Sequence, residues 1–179
     1  MTELKTSRVP ASSQWILPAA LCLSLALLIV AGCGKRQTRL AGTSGSPEEV
    51  CRRALEALKH NDTLGLQRLR LTEFEHDSLL VPQMPASPAG LERDMDMAWR
   101  LLDQRSIKGI RRAMEDYGGR RFSLVKVRFT KPEERFGHLV AHKGTEVTVR
   151  DSSGVELVLP IFGSILEDNG RYKLVSIRD

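Results

Sequence analysis

The closing stretch DSSGVELVLPIFGSILEDNGRYKLVSIRD, residues 151–179, decides how this chain folds. Residues 151–154 read as a turn, because short polar side chains and glycine favour tight reversals. Residues 155–167 are apolar on both faces, the pattern of a strand covered on two sides, which predicts a central strand. Pro160 lacks an amide proton and belongs at a bulge or a sheet margin. Asp168-Asn169-Gly170 is a hairpin turn, since Asn and Gly accept the left-handed backbone that such a turn needs. Residues 171–179 follow as a last strand.

Upstream, Val147 and Val149 alternate within residues 145–150, and residues 136–141 make a weaker strand. From Arg121 the apolar period is two. Ser123, Val125, Val127 and Phe129 alternate with Leu124, Lys126 and Arg128, as in a half-buried strand.

Before Arg121 the period is helical. Ser46 can cap a helix, Pro47 fits its first position and Glu49 completes a capping box. Val50, Cys51, Ala54, Leu55 and Leu58 follow at helical spacing, and the helix is expected to stop around His60 and Asn61. Asp62 caps a second, short helix carrying Leu66 and Leu69. Residues 72–90 contain three prolines and read as an irregular connection in which Phe74, Leu79, Leu80 and Val81 pack on the core. Two apolar stripes come next. One holds Leu91, Met95, Ala98, Trp99 and Leu102, the other Ile107, Ile110, Ala113, Met114 and Tyr117. Gly118 stands where a helix-ending glycine belongs.

Helices first and consecutive antiparallel strands second define an α+β fold, with N-terminal helices packed on a curved sheet. The opening helix SPEEVCRRALEALKHND and the strand–hairpin–strand ending resemble the nuclear transport factor 2-like (cystatin-like) superfamily. That resemblance implies a cone-like sheet and spans about residues 47–177. The segment YGGRRFSLVKVRF also resembles an uncharacterised lipoprotein family, which implies no activity.

The front of the chain has another character. Residues 1–14 are polar and carry Lys5 and Arg8, and residues 15–31 are nearly all apolar. That run is short of the about 20 residues a spanning helix needs, and its layout is that of an export signal. Val30-Ala31-Gly32-Cys33 resembles the lipobox of bacterial lipoproteins. The resemblance implies a diacylglyceryl group on Cys33, cleavage between Gly32 and Cys33, and acylation of the new amino terminus. Two or three acyl chains would anchor the protein durably, whereas one is marginal. An uncleaved membrane anchor and a cleaved, unlipidated secreted protein are the competing readings. Three regions follow: a signal peptide at 1–32, a lipid-anchored flexible tether at 33–45, and a folded domain at 46–179. The expected location is the cell envelope, with the domain on the periplasmic side of the inner or outer membrane.

Of the net charge of +5, +4 lies beyond the signal. That diffuse excess suits anionic lipid headgroups near Lys35, Arg36 and Arg39. With aromatics at 5% it does not point to nucleic acid. If Cys33 is lipidated and Cys22 leaves with the signal, Cys51 has no disulfide partner and reads as a small core residue.

Chemical motifs are sparse. His138 and His142 are four apart, but on strands that spacing separates them by roughly 13 Å. With His60 and His76 they complete no zinc set, so neither metal nor cofactor is expected. Gly118, Gly119, Arg120 and Arg121 could make an anion-binding nest, widened to a basic patch by Arg111 and Arg112. Tyr117, Tyr172, Asp94, Asp96 and Asp116 are residue types that acid–base enzymes of the superfamily employ, but no spacing pairs them, so no catalytic residue is assigned. The expected protein is therefore a lipid-anchored, non-catalytic module that binds a small ligand or another envelope protein. A cone-pocket isomerase or dehydratase and an assembly factor of an envelope complex are the alternatives.

Overall fold

The computed structural model describes residues 39–85 and 95–178. Readings that rest on Cys22, Gly32, Cys33, Lys35, Arg36, Leu91 or Asp94 lie outside the described residues.

Helix α1 (Pro47–Lys59) starts where the sequence places it. The Ser46 hydroxyl accepts from the Glu49 amide at 3.1 Å, and Glu48 and Glu49 meet the positive end of the helix. The capping box is not completed, because the Glu49 carboxylate accepts from Gly45 N–H, at 2.6 Å. The helix ends as His60 and Asn61 leave it, Asn61 with φ 54°. In α2 (Thr63–Arg68) the Asp62 carboxylate caps the Gly65 amide at 2.7 Å.

The segment expected to be irregular is helical at its start. Thr72 and Glu75 form a reciprocal capping box for the short α3 (Glu73–Glu75). The chain then continues through a wide π turn (His76–Leu80) and a tight 3₁₀ turn (Val81–Gln83). Pro82 is tolerated there because its missing amide falls in the first turn. Leu79 and Leu80 are buried, but Phe74 is 65% exposed. Glu75, His76, Leu79 and Leu80 take the inward side of these turns, which leaves Phe74 outward.

The two apolar stripes belong to one helix, α4 (Met95–Tyr117). Trp99, Ser106, Ile110 and Ala113 line its buried side, while Ile107 points outward. Past its end, the Gly118 amide bonds the Met114 carbonyl. Gly119 supplies the left-handed cap at φ 74°, and its amide bonds the Leu58 carbonyl of α1.

Seven strands follow: β1 (Phe122–Phe129), β2 (Glu134–Phe136), β3 (Leu139–His142), β4 (Thr145–Asp151), β5 (Glu156–Leu159), β6 (Ile165–Asp168) and β7 (Arg171–Leu174). They form two antiparallel sheets, β1-β4-β5 and β2-β3-β6-β7. The class is α+β, as the element order implies.

Three sequence expectations change here. A bulge between Leu124 and Lys126 shifts the phase of β1, so Phe122, Leu124, Val127 and Phe129 turn inward and Val125 is exposed. Residues 136–141 are not one strand but the hairpin β2-β3, which turns at Gly137 with φ 58°. The supposed central strand at 155–167 is two strands. Pro160 follows β5, an edge strand that leaves Val158 exposed, and the chain then enters β6 inside the other sheet. Apolarity on both faces arose from two different burial environments in sequence.

The turns read from sequence are present. Asp151 accepts through one oxygen from the Ser153 amide and hydroxyl and from the Val155 amide. Asn169 and Gly170 adopt φ 51° and 73° between β6 and β7.

The main core lies where α1, α2 and α4 meet the sheets. Val50, Cys51, Leu58, Ile110, Phe162 and Ile165 are among its buried members. A second cluster joins Leu40, Leu71, Leu79 and Leu80 to Leu139 and Leu166. Leu40 thus belongs to the fold, although it falls within the stretch expected to be a spacer. Ser44 exchanges two 2.9 Å backbone bonds with Tyr172, and residues 69–71 bond Leu174. These segments cover the free edge of β7, whose backbone groups need partners whatever side chains they carry.

Gly109 marks a close approach between α4 and the chain terminus. A Cβ there would overlap the Ile177 and Arg178 carbonyls. Gly109→Ala is expected to destabilise by about 1–3 kcal/mol from overpacking, outweighing the roughly 1 kcal/mol that alanine gains in helix propensity. Urea unfolding would measure this, and a stabilised variant would contradict the close approach.

Candidate functional site

The basic residues singled out in the sequence each have their own partners. Arg111 reaches Glu115 at 4.0 Å on the surface of α4. Arg112 lines a small cavity of about 110 Å³ with Asp116, Tyr117 and Arg178. The Arg120 guanidinium lies 5.1 Å from the centre of the Phe122 ring, and Arg121 is exposed. Three of the backbone amides expected to form an anion nest are engaged within the fold. The amides of Gly118, Gly119 and Arg120 donate to the carbonyls of Met114, Leu58 and Tyr117.

The histidines are dispersed as well. His60 bonds Glu56, and His76 bonds Asp77 beside the Trp99 ring. His138 approaches Asp168 at 3.5 Å. Among the described residues, no three His, Cys, Asp or Glu side chains converge to hold a metal. Tyr117 packs edge-on against Phe122, and Asp96 is exposed in the first turn of α4. Cys51 is a free thiol with no exposed surface. Burial, with help from the Glu48 charge and against that of Arg52, pushes it up to about 12, so it stays protonated and inert.

An open groove of about 620 Å³ runs beside α1 and α2, lined by Arg53, His60, Asp62, Arg68, Thr72 and Lys173 among others. Several of its polar groups are paired with one another or with the backbone. Arg53 donates to the Gly42 carbonyl and the Ser44 hydroxyl, and Arg68 pairs with Asp62. Lys173 is buried against Glu75, its ammonium donating to both carboxylate oxygens and to the Ala41 carbonyl. Glu75 also accepts from Ala41 N–H, Thr72 N–H and the Thr72 hydroxyl. That network fastens residue 41 to α3 and β7, and it has no open coordination for a ligand.

A different constellation keeps exposed polar groups. Strands β3, β6 and β7 place His142, Glu167 and Tyr172 side by side. Glu167 stands opposite both Val140 and Tyr172 in register, and His142 is two residues along β3, on the same face. The His142 Nε2 lies 2.8 Å from a Glu167 oxygen. The Phe129 ring stacks on His142 at 4.7 Å, and the Tyr172 ring is 6.1 Å from it. Burial, then the Glu167 charge and hydrogen bond, and then the Glu48 charge push the Tyr172 hydroxyl above its ordinary value. Glu48 comes close because Ser44, just before α1, pairs with Tyr172. Sequence spacing alone relates neither His142 nor Tyr172 to Glu167. The available signal was the hairpin: a two-residue turn at Asn169-Gly170 already sets Glu167 opposite Tyr172.

No family model, curated protein or solved structure matches this chain. No described helix is long and apolar enough to cross a membrane.

Proposed function

We propose that the protein is a lipid-anchored component of a bacterial cell envelope whose α+β domain binds a ligand or a partner without catalysing a reaction. The observation that carries the proposal is Val30-Ala31-Gly32-Cys33 at the end of an apolar run that follows a basic start. The acyl chains on Cys33 would hold the domain outside the cytoplasm, at the periplasmic face of the inner or outer membrane.

The place where packing begins supports this reading. Leu40 is buried, so at most seven peptide steps separate Cys33 from the folded domain. Fully extended they span about 25 Å, which would keep the domain near the headgroups. Arg39 and, by sequence, Lys35 and Arg36 lie on that leash and would favour an anionic surface. We also read the two sheets as one sheet curved into a cone, as in the nuclear transport factor 2-like superfamily. Supporting this, the segment 139–151 supplies a strand to each sheet, and so does 156–168.

Metabolic labelling with radioactive palmitate tests the anchor. Label is expected on the wild-type protein and absent from Cys33→Ser, with the variant accumulating as an uncleaved precursor. Label that persists on Cys33→Ser would overturn the proposal.

A further inference from the structure

The corner built by Glu48, Phe129, His142, Glu167 and Tyr172 defines what kind of ligand the domain can take. This deepens the ligand-binding half of the proposed function and does not depend on the anchor. The chain is basic overall, yet among the described residues no Lys or Arg forms an ion pair with Glu48 or Glu167. Among the described residues, Glu167 has only His142 as an ion-pair partner, and Glu48 has none. Three rings gather at the same place, with Phe129 and Tyr172 both against His142. The side chains of Glu167 and His142 keep 25% and 15% of their surface, so solvent reaches the carboxylate.

A second, independent observation lies next to it. Thr145 is 2% exposed, and its hydroxyl has no hydrogen-bond partner. It stands opposite Phe129 in the β1-β4 register, beside the ring that covers His142. Directly opposed residues hold their Cβ atoms about 5 Å apart, which makes Thr145 a neighbour of Phe129.

A carboxylate whose only ion-pair partner among the described residues is an imidazole, flanked by aromatic faces, attracts an organic cation twice over. The carboxylate supplies charge, and the rings supply their negative faces while covering the alkyl groups around the nitrogen. We propose that this corner is a binding site for a small ammonium compound, its charge on Glu167 and its carbon substituents against Phe129 and Tyr172. Glu48, in the first turn of α1 and four residues beyond the Ser44 that pairs with Tyr172, brings a second negative charge near this corner.

The test uses the full chain in detergent micelles with ¹³C-labelled histidine rings, titrated with choline chloride and, separately, methylammonium chloride. A saturable shift of the His142 signals is expected from at least one of them, with sodium chloride at equal ionic strength giving none. The affinity should fall by about tenfold in Glu167→Gln, in line with loss of the charge contact, and by about threefold in Glu48→Gln. If Glu167→Gln does not fold, Glu48→Gln at the partly exposed start of α1 decides. The neutral isostere of choline, 3,3-dimethyl-1-butanol, should not compete. Absence of saturation with both cations overturns the proposal, as does undiminished binding in the folded variants. Equal binding of the neutral isostere also overturns it while leaving the domain a ligand-binding module. Acylation of Cys33 is read separately, by label.

Discussion

Lys173→Met is expected to destabilise the domain by about 3–5 kcal/mol, read as a lower urea midpoint with an unchanged slope. The Lys173 and Glu75 side chains are only 3% and 4% exposed, and the ammonium touches both carboxylate oxygens. Removing the lysine leaves a nearly buried carboxylate without its counter-charge. It also frees the Ala41 carbonyl, which Lys173 otherwise bonds at 2.7 Å. A loss below about 1 kcal/mol would mean that the chain relaxes to hydrate Glu75, and that the link from residue 41 to β7 is weak.

The same pair sets an acid limit. Burial pushes the Glu75 carboxyl up, but the bonds from Lys173, Thr72 and Ala41 outweigh it and hold the group below its ordinary 4.5. A carboxyl held down in the folded state stabilises fully above its unfolded value, and that stability is lost as pH falls through the folded one. The native domain should therefore weaken below about pH 4.5. In Lys173→Met one of the bonds that hold the group down is gone, so the Glu75 carboxyl rises and protonation relieves the variant. The gap between the two proteins should narrow as pH falls, which urea titrations at several pH values would show.

Phe162→Ala is expected to cost about 3–5 kcal/mol. Phe162 has no exposed surface, bridges to Ile177, and lies in the main core with Leu58, Ile165 and Leu174. It falls in the passage between β5 and β6, where the chain leaves one sheet for the other. Truncation there opens a cavity in the packed core. Phe162→Leu should cost markedly less, and Phe74→Ala, at a ring 65% exposed, should stay within about 0.5 kcal/mol. Equal losses at Phe162 and Phe74 would contradict this placement of the core.

Much of the local structure was legible because its causes are local. Ser46, Pro47 and Asn61 bound α1 through capping and backbone preference, and Asp62 caps α2 by the same chemistry. The pattern T-x-x-E at Thr72 to Glu75 announced a helix start just as openly, but the prolines downstream drew the reading toward an irregular loop. Of the candidate site, the residue types were visible and their grouping was not. His142, Glu167 and Tyr172 come from three strands, and only the pairing of β3 with β6 brings the histidine to the carboxylate.

The sequence by itself determined the α+β class, the order of helices before strands, and the turns at 151–154 and 168–170. Each depends on a few neighbouring residues whose backbone preferences need no distant partner. Only the tertiary structure decided the bulge at Val125, the division of 155–167 between two sheets, and the use of Ser44 to cover the edge of β7. A strand's inward face and its outer neighbour are properties of the sheet it joins. Backbone edges take partners by reach rather than by side-chain type, and the short-range pattern carries no record of which partner arrives.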